Sequence, residues 1–523
     1  MQYLGNRSNI DFSFRNVNEI KVKELTRGLK DSTPGIDDIS IKIIKLCIDE
    51  LVIPIAHLCN TSLNTGVVPE QLKIARVTPV FKAGNSHILS NYRPIAILPA
   101  IGKLVEKIVS EQLYDFCNSH NIFSHTQYGF RAGMSTELAL SDFVDDVVSG
   151  FDRSESTIAA FLDLSKAFDT VVPSILLAKL EHWGIRGREL HWFESYFRDR
   201  QMCVKYLNKQ SRLSQLDLSI PQGSSLGPLL FILYINDMVN ASSNLKFILY
   251  ADDSVIYMTG LNIESMANEM NKQLQNIYKY LVANKLTLNY NKSEFILFSK
   301  SLNNINPVIK INNNIIKQVK ETKFLGVLIT NKLNWSKHIK NVTLKINKIN
   351  GILYLTRHLL SKNILKNIYN ALVNPHIAYA NILWGSTYKS HLRPLVIGQK
   401  RIIRTILFKS RYTHTAPLFN ELGIFNIEQM NKYYTAMFVF KKLNNMLQGK
   451  IEFRFSGQIH DLSLRDPLRL RAPRSRTTQR QQSVACRGCH VWNKLEIGIR
   501  ASGSIYAFKN NVKESLTLNI SNR

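Results

Sequence analysis

Apolar and polar positions alternate with two different periods along this chain, which predicts a mixture of helices and strands. Residues 17–60 carry a helical pattern. The turn residues Ser32-Thr33-Pro34-Gly35 break it, and Asp37-Asp38 stand where the next helix needs a cap. Ile74–Phe81 reads as a strand. Residues 100–118 read as an amphipathic helix, with Ile101, Leu104, Val105, Ile108 and Leu113 on one side. Ala159–Leu164 (AAFLDL) reads as a short buried strand with Asp163 at its end. Met266, Met270, Leu274, Ile277, Tyr278 and Leu281 recur at helical spacing, a stripe that belongs to core packing rather than to a ligand set. Short strands are expected at Phe295–Phe298, Val308–Ile311, Ile315–Val319 and Phe324–Ile329. Past a linker at 331–336 the pattern is helical, with Ile339, Val342, Ile346, Ile349 and Leu353 on one face. Lys337, Lys340, Lys345 and Lys348 lie mostly off that face. A second linker is expected near 450–465.

One apolar run is interrupted in a way that periodicity does not explain. Phe247–Met258 contains LYADDSVIY, with Asp252 and Asp253 side by side. Two carboxylates about 4 Å apart repel by roughly 4 kcal/mol at an effective dielectric near 20. Neighbours on a strand point to opposite faces, so the pair acts together only at a hairpin tip. Tyr250-Ala251-Asp252-Asp253-Ser254 fits such a tip. Asp163 also ends a short buried strand. Three carboxylates at strand ends suit two Mg²⁺ ions, which keep waters and take substrate phosphate oxygens. Such a pair of metals serves an in-line phosphoryl displacement. A solvated turn is the bland alternative for a lone Asp-Asp; the apolar setting and Asp163 weigh against it.

Composition narrows the class. A chain of 523 residues is long enough for two or three domains. No apolar segment approaches the roughly 18 residues of a membrane span, and the longest, Leu226–Ile235, holds Gly227 and Pro228. The N-terminal MQYLGNRSNIDFSF lacks a basic-then-apolar export pattern. Six cysteines are scattered rather than framed as disulfides. The expected setting is intracellular, nucleus or cytoplasm, and not secreted. The net charge of +28 is uneven: residues 331–523 hold 32 basic and 7 acidic residues, or +25. That asymmetry points to a polyanion, nucleic acid first. The run at 465–480 carries six arginines and reads as a binding arm, an import signal or a plain basic tail. Cys486-Arg487-Gly488-Cys489-His490 matches a haem-attachment pattern, but such attachment belongs to exported proteins, so no haem is expected.

Seven stretches in order carry a resemblance. They are VTPVFKAGNSHILSNYRP (Val77–Pro94), QYGFRAGMST (Gln127–Thr136), AAFLDLSKAFDTV (Ala159–Val171), IPQGSSLGPLLFILYINDM (Ile220–Met238), Leu249–Tyr257, KLTLNYNKSEFILF (Lys285–Phe298) and KFLGVLI (Lys323–Ile329). The series resembles reverse transcriptases, most of all those of non-LTR, Jockey-like retrotransposons. The resemblance implies an α+β right-hand polymerase with fingers, a palm carrying an antiparallel sheet, a helical thumb and a basic C-terminal region. The corresponding division is 1–60 (helical fingers extension), 61–330 (fingers and palm), 331–450 (thumb) and 451–523 (basic C-terminal region). Asp163, Asp252 and Asp253 would be catalytic and, with the Leu164 carbonyl, would ligate two Mg²⁺ ions, Mn²⁺ being the alternative. Lys82 and Arg93 would hold the incoming triphosphate, and Gln222 would line the nucleotide pocket. Lys292 would protonate the leaving pyrophosphate, and Phe324–Ile329 would grip the primer end.

The fifth residue after Asp163 is Phe168. RNA polymerases of similar fold usually place an aspartate there for the ribose 2′-hydroxyl. An aromatic ring occludes that hydroxyl, so Phe168 favours deoxynucleotides. Asp169 reads as a structural residue, a cap or an arginine partner. The partners implied are an RNA template, a DNA primer or target and deoxynucleoside triphosphates. Tyr354, Tyr369, Tyr379 and Trp384 read as thumb core. No endonuclease domain, which needs roughly 200 residues, is expected in this chain. Nor is a ribonuclease H domain: residues 331–523 offer only Asp461, Asp466 and five glutamates. A catalytically silent nucleic-acid-binding relic is the competing reading. It predicts a lost catalytic residue, and none of those named is lost.

Overall fold

The computed structural model describes all residues except 1, 166, 217–219, 301–305, 459–465 and 519–523. Asp461 and Arg465 therefore lie outside the described residues. Among the described residues no helix is long and apolar enough to cross a membrane.

Two helices, α1 (Glu19–Gly28) and α2 (Ile48–Thr65), open the chain. Neither Asp37 nor Asp38 caps the short helix between them. Ser40 does, its hydroxyl accepting from the Ile43 N–H. Asp38 instead takes Arg76 at 2.9 Å. The strand β1 (Ile74–Phe81) pairs antiparallel with β2 (Tyr92–Ile97). Helix α3 (Ala100–Ser119) buries Leu104, Val105, Ile108 and Leu113. Helix α4 (Thr136–Asp152) leads into β3 (Ser156–Asp163). Helices α5 (Pro173–His182) and α6 (Gly187–Phe197) follow, then β4 (Gln201–Tyr206), which lies parallel to β1. Helix α7 (Gly227–Tyr234) precedes the hairpin β5 (Lys246–Tyr250) and β6 (Asp253–Gly260). Helix α8 (Ile263–Ala283) is capped by Asn262 and buries Met266, Met270, Leu274, Ile277 and Leu281 as its spacing predicts.

Strands β7 (Glu294–Phe298) and β8 (Lys317–Gln318) complete a five-stranded sheet of order β8-β7-β3-β6-β5. Its central strands are buried on both faces, while the short edge strand β8 is exposed. Along β3, Ile158, Ala160 and Leu162 enter one apolar cluster, while Ala159 and Phe161 enter the other. On β6, Ile256 goes one way and Val255 and Tyr257 the other. Each large apolar side chain so buried contributes roughly 1.5–3 kcal/mol of transfer free energy. Asp163 continues the face of Phe161, and Asp253 that of Val255.

Phe324–Ile329 is not one strand. It is the bend of a hairpin, β9 (Glu321–Phe324) and β10 (Val327–Thr330). Leu325 and Gly326 turn it, with φ of 44° and 81°. Two positive φ values in a two-residue loop match the twist of a hairpin.

Residues 331–336 bury Leu333 and Trp335 rather than forming a linker. The cluster that holds Val255 and Tyr257 continues into α9 (Ser336–Thr356) through Ile339 and Ile346, and into α10 (Lys389–Ile406) through Ile402. Tyr369 and Trp384 are core, as expected, but Tyr354 and Tyr379 are exposed. Helices α11 (Ile427–Leu443), α12 (Val484–Asn493) and α13 (Ile505–Leu518) form a further cluster around Phe440, Trp492 and Phe508. Cys486 and Cys489 are buried in α12, and the Cys489 thiol donates to the Ala485 carbonyl.

The start of the second expected linker and the end of the arginine run are likewise fastened to the body. Lys450 and Ile451 donate backbone N–H bonds to Asp142 of α4 at 2.8 and 3.1 Å. Arg476 and Thr477 donate theirs to Asp152, both at 2.8 Å. Arg480 pairs with Asp145 at 2.6 Å. The acidic side of α4 thus accounts for two of the arginines; Arg469, Arg471 and Arg474 remain exposed.

Candidate active site

The β5–β6 hairpin turns in two residues. Tyr250 pairs with Asp253, so Ala251 and Asp252 form the tip. Ala251 takes φ of 53°, a conformation usually left to glycine. Holding a side chain there costs roughly 1–3 kcal/mol, so its surroundings must impose it. Gln127, fully buried, accepts through Oε1 from the N–H groups of Ala251 at 3.3 Å and Gly129 at 2.8 Å. The segment before Gly129 runs along β5. Tyr128 N–H donates to the Leu249 carbonyl at 2.7 Å, and Leu249 N–H to the Thr126 carbonyl at 2.9 Å. A Cβ on Gly129 would lie 2.6 Å from the Ala251 nitrogen. Gly129→Ala is therefore expected to cost about 1–3 kcal/mol of stability. Urea unfolding reads it; an unchanged midpoint would mean that the tip is free to shift.

Asp163 faces Asp253 in the last pair of the β3–β6 ladder. Directly opposed residues share a face, with Cβ atoms about 4.5–5.5 Å apart. Asp252 stands next to them on the turn. Both hairpin residues are exposed, yet enough protein crowds their carboxyl groups to disfavour charge. Burial, then Asp252 and Asp163, push the Asp253 carboxyl up to about 6. Burial and Asp163 also raise Asp252, while Arg93 and Lys82 pull it back. Asp252 and Asp253 thus both lie in the field of Asp163.

Asp163 is held by its backbone. Its N–H donates to Ser293 Oγ at 3.3 Å, and its carbonyl accepts from Asn289 N–H at 2.8 Å. Ser165 N–H donates to Thr287 at 2.8 Å, so Leu164 bridges Leu288 without using its own carbonyl. In an antiparallel bridge of this kind that carbonyl points to the opposite edge, toward β6. Lys292 Nζ lies 3.9 Å from Asp163 Oδ2, a loose, exposed pair.

Among the described residues, no three histidine, cysteine or carboxylate side chains close on one point. The aspartates share a field rather than a finished cage, which is looser than the convergence expected from sequence. Their chemistry nonetheless fits a hard divalent cation. All donors are oxygens, they repel one another, and Mg²⁺ takes its remaining ligands from water and phosphate.

Arg93 faces Val80 across the β1–β2 register, and Lys82, two residues beyond Val80, extends the same face. Both are exposed, and both reach Asp252 electrostatically. The loop of Gln222 joins their hairpin to the sheet. The Gln222 carbonyl accepts from Ala96 N–H at 2.6 Å. Gly223 has φ of 115°, and a Cβ on it would lie 2.5 Å from the Ala96 oxygen. The Gln222 amide donates to Asp169 at 2.7 Å. Among the described residues Asp169 is thus neither cap nor arginine partner but an anchor for Gln222. Phe168 is half-buried and stacks on Phe231 at 4.5 Å between ring centres. Sequence reasoning singled out the QYGFR stretch but not the support that Gln127 and Gly129 give the tip. The glycine set between the aromatics Tyr128 and Phe130 was the available signal.

An acidic strand end and a tight acidic turn thus stand within the field of a basic hairpin. Residues 80–329 match the family model described as reverse transcriptase (RNA-dependent DNA polymerase), and the chain contains that domain. Over most of its length it is homologous to RNA-directed DNA polymerases of jockey-type, non-LTR retrotransposons. It is 25% identical over 417 residues to the RNA-directed DNA polymerase from mobile element jockey of Drosophila funebris, spanning 77% of this chain and 45% of that protein. It is 25% identical over 448 residues to the probable RNA-directed DNA polymerase from transposon BS of Drosophila melanogaster, spanning 81% of this chain and 48% of that protein. The chain spans about half the length of the curated relatives it matches. Among solved structures, an apo telomerase from Candida tropicalis aligns at a TM-score of 0.35 and 10% identity, over 50% of this chain and 54% of that one. So slight a likeness carries no argument.

Proposed function

We propose that this chain is an RNA-directed DNA polymerase of a non-LTR retrotransposon, extending a DNA 3′-hydroxyl on an RNA template. The observation that carries this reading is the facing of Asp163 and Asp253 at the end of one ladder, with Asp252 on the adjoining turn. In this reading the β1–β2 hairpin and the N-terminal helices are fingers, the five-stranded sheet is the palm and α9 to α11 the thumb. Residues 451–523 are a basic C-terminal region. Asp163, Asp252, Asp253 and the Leu164 carbonyl would hold two Mg²⁺ ions, or Mn²⁺ in their place. Such ions, when bound, activate the attacking hydroxyl and steady the leaving oxygen. Lys82 and Arg93 bind the triphosphate, whose charge exceeds what its metal neutralises. Gln222, fixed by Asp169, lines the nucleotide pocket. Lys292 supplies a proton to pyrophosphate. The bend at Leu325-Gly326 lies against the primer end.

Primer extension of oligo(dT) on poly(rA) with dTTP and Mg²⁺ tests this. Extension that a chelator abolishes is expected. A folded chain that binds the hybrid without extending it would favour the silent relic. Phe168→Val tests the choice of sugar. Removing the ring is expected to lower the preference for dTTP over UTP about 10–100-fold, the range that one missing group sets in a pocket. An unchanged ratio would leave Phe168 as a packing residue on Phe231.

A further inference from the structure

We infer that the shared end of α9 and α10 is a platform on which unpaired nucleotides of a single strand stack. This goes beyond the polymerase reading and does not depend on its chemistry. The two helices run parallel: Gly398 approaches Asn347, and Thr405 Oγ1 meets Asn350 at 3.1 Å. Their C-termini therefore emerge together. There the surface turns aromatic and open. Tyr354 is 56% exposed, Leu355 71%, Phe408 45% and Tyr412 78%. Arg357 lies between two of these rings, 4.5 Å from the centre of Tyr354 and 5.7 Å from that of Phe408. Arg411 covers Tyr412 at 4.6 Å. The loop bearing Tyr412 is pinned to α10, with Arg404 Nε donating to the Thr413 carbonyl at 2.9 Å.

Exposed rings gain only a small stabilisation from a neighbouring guanidinium. A strand of nucleic acid uses both, since each base offers a π-face and each phosphate a charge. The setting matches that partner. Residues 322–420 contain no aspartate or glutamate and 16 lysines and arginines. Helix C-termini carry partial negative charge, which Arg357 and Arg411 offset where it would otherwise repel phosphate. A blunt duplex hides its base faces and would engage only the charge.

The test compares the full chain with a Tyr354→Ala, Tyr412→Ala double variant by fluorescence anisotropy. The probes are labelled twelve-residue oligo(U) and oligo(dT), with a blunt RNA–DNA hybrid of the same length as control. We expect single-strand affinity to fall about tenfold or more, hybrid affinity to stay within twofold, and Tyr→Phe replacements to restore binding. Loss on both single strands means that the platform reads bases alone; loss on one assigns it to that sugar. Unchanged single-strand binding would overturn the inference. So would an equal loss on the hybrid, which marks general electrostatics. Because binding is read without extension, an inactive chain that passes this test would refute the polymerase reading alone. Both rings are exposed, and a thermal melt checks that the variant folds.

Discussion

Asp253→Asn is expected to abolish extension, by a thousandfold or more, while leaving hybrid binding within a few-fold of native. The amide keeps the shape of the side chain but removes the charge that a divalent ion needs. A thousandfold loss corresponds to about 4 kcal/mol at 1.36 kcal/mol per factor of ten. The same change should stabilise the protein in chelator at neutral pH. Burial and the neighbouring Asp252 and Asp163 raise this carboxyl from its ordinary 3.8 to about 6. The folded chain then holds that proton more tightly than the unfolded chain does. Its contribution to stability is full below about pH 4 and is lost as pH rises through about 6. The asparagine variant loses nothing over that interval. Thermal melts in EDTA should coincide for the two proteins near pH 4 and separate by pH 7, with the variant higher. A variant that still extends, or melts lower at pH 7, would sink the account of three mutually repelling carboxylates.

Lys179→Met should destabilise the chain by about 3–5 kcal/mol, the usual consequence of leaving a buried charge without its partner. Lys179 Nζ donates to Asp237 and to the Tyr234 carbonyl, both at 2.6 Å. Both members of the pair are 5% exposed. Tyr280 adds a hydrogen bond to Asp237 at 2.7 Å. The group ties α5 to α7 and α8, behind the sheet that carries Asp163. Methionine retains the length of the lysine stem, so packing changes little and the loss isolates the charge. Urea unfolding of Lys179→Met and of a Lys179→Met, Asp237→Leu double variant checks this. The double variant should recover much of the loss, because the pair itself contributes little net stability. Equal losses in both would show that packing, not the stranded carboxylate, sets the cost.

The parts of this molecule that a reader of the sequence obtains are those in which local pattern and tertiary burial agree. Helices α3 and α8 declare themselves because an uninterrupted apolar stripe meets one core. The aspartates stand out because they contradict an apolar run. What fails is decided at a distance. Gln127 reaches Ala251 across 124 positions of sequence, and nothing local announces it. Ser40 wins the cap because Asp38 is drawn off to Arg76. FLGVLI reads as one strand because Phe324 and Leu325 run on into the apolar Val327–Ile329 and only Gly326 hints at the bend. Tyr354 follows directly on the buried Leu353, yet one residue further round the helix it faces solvent. The arginines near 476 looked like a free arm because their acidic partners lie on α4.

That last arrangement fixes an order of events in synthesis. The bonds from Lys450, Ile451, Arg476, Thr477 and Arg480 to α4 span 308 to 335 positions. A nascent chain completes α4 and the sheet it covers long before these partners leave the ribosome. Until then Asp142 has the hydroxyl of Tyr128 but lacks the N–H groups of Lys450 and Ile451. The polymerase-like body is thus finished from its tail. A message cut short before codon 450 would yield a sheet with every aspartate in place and its supporting helix unsealed.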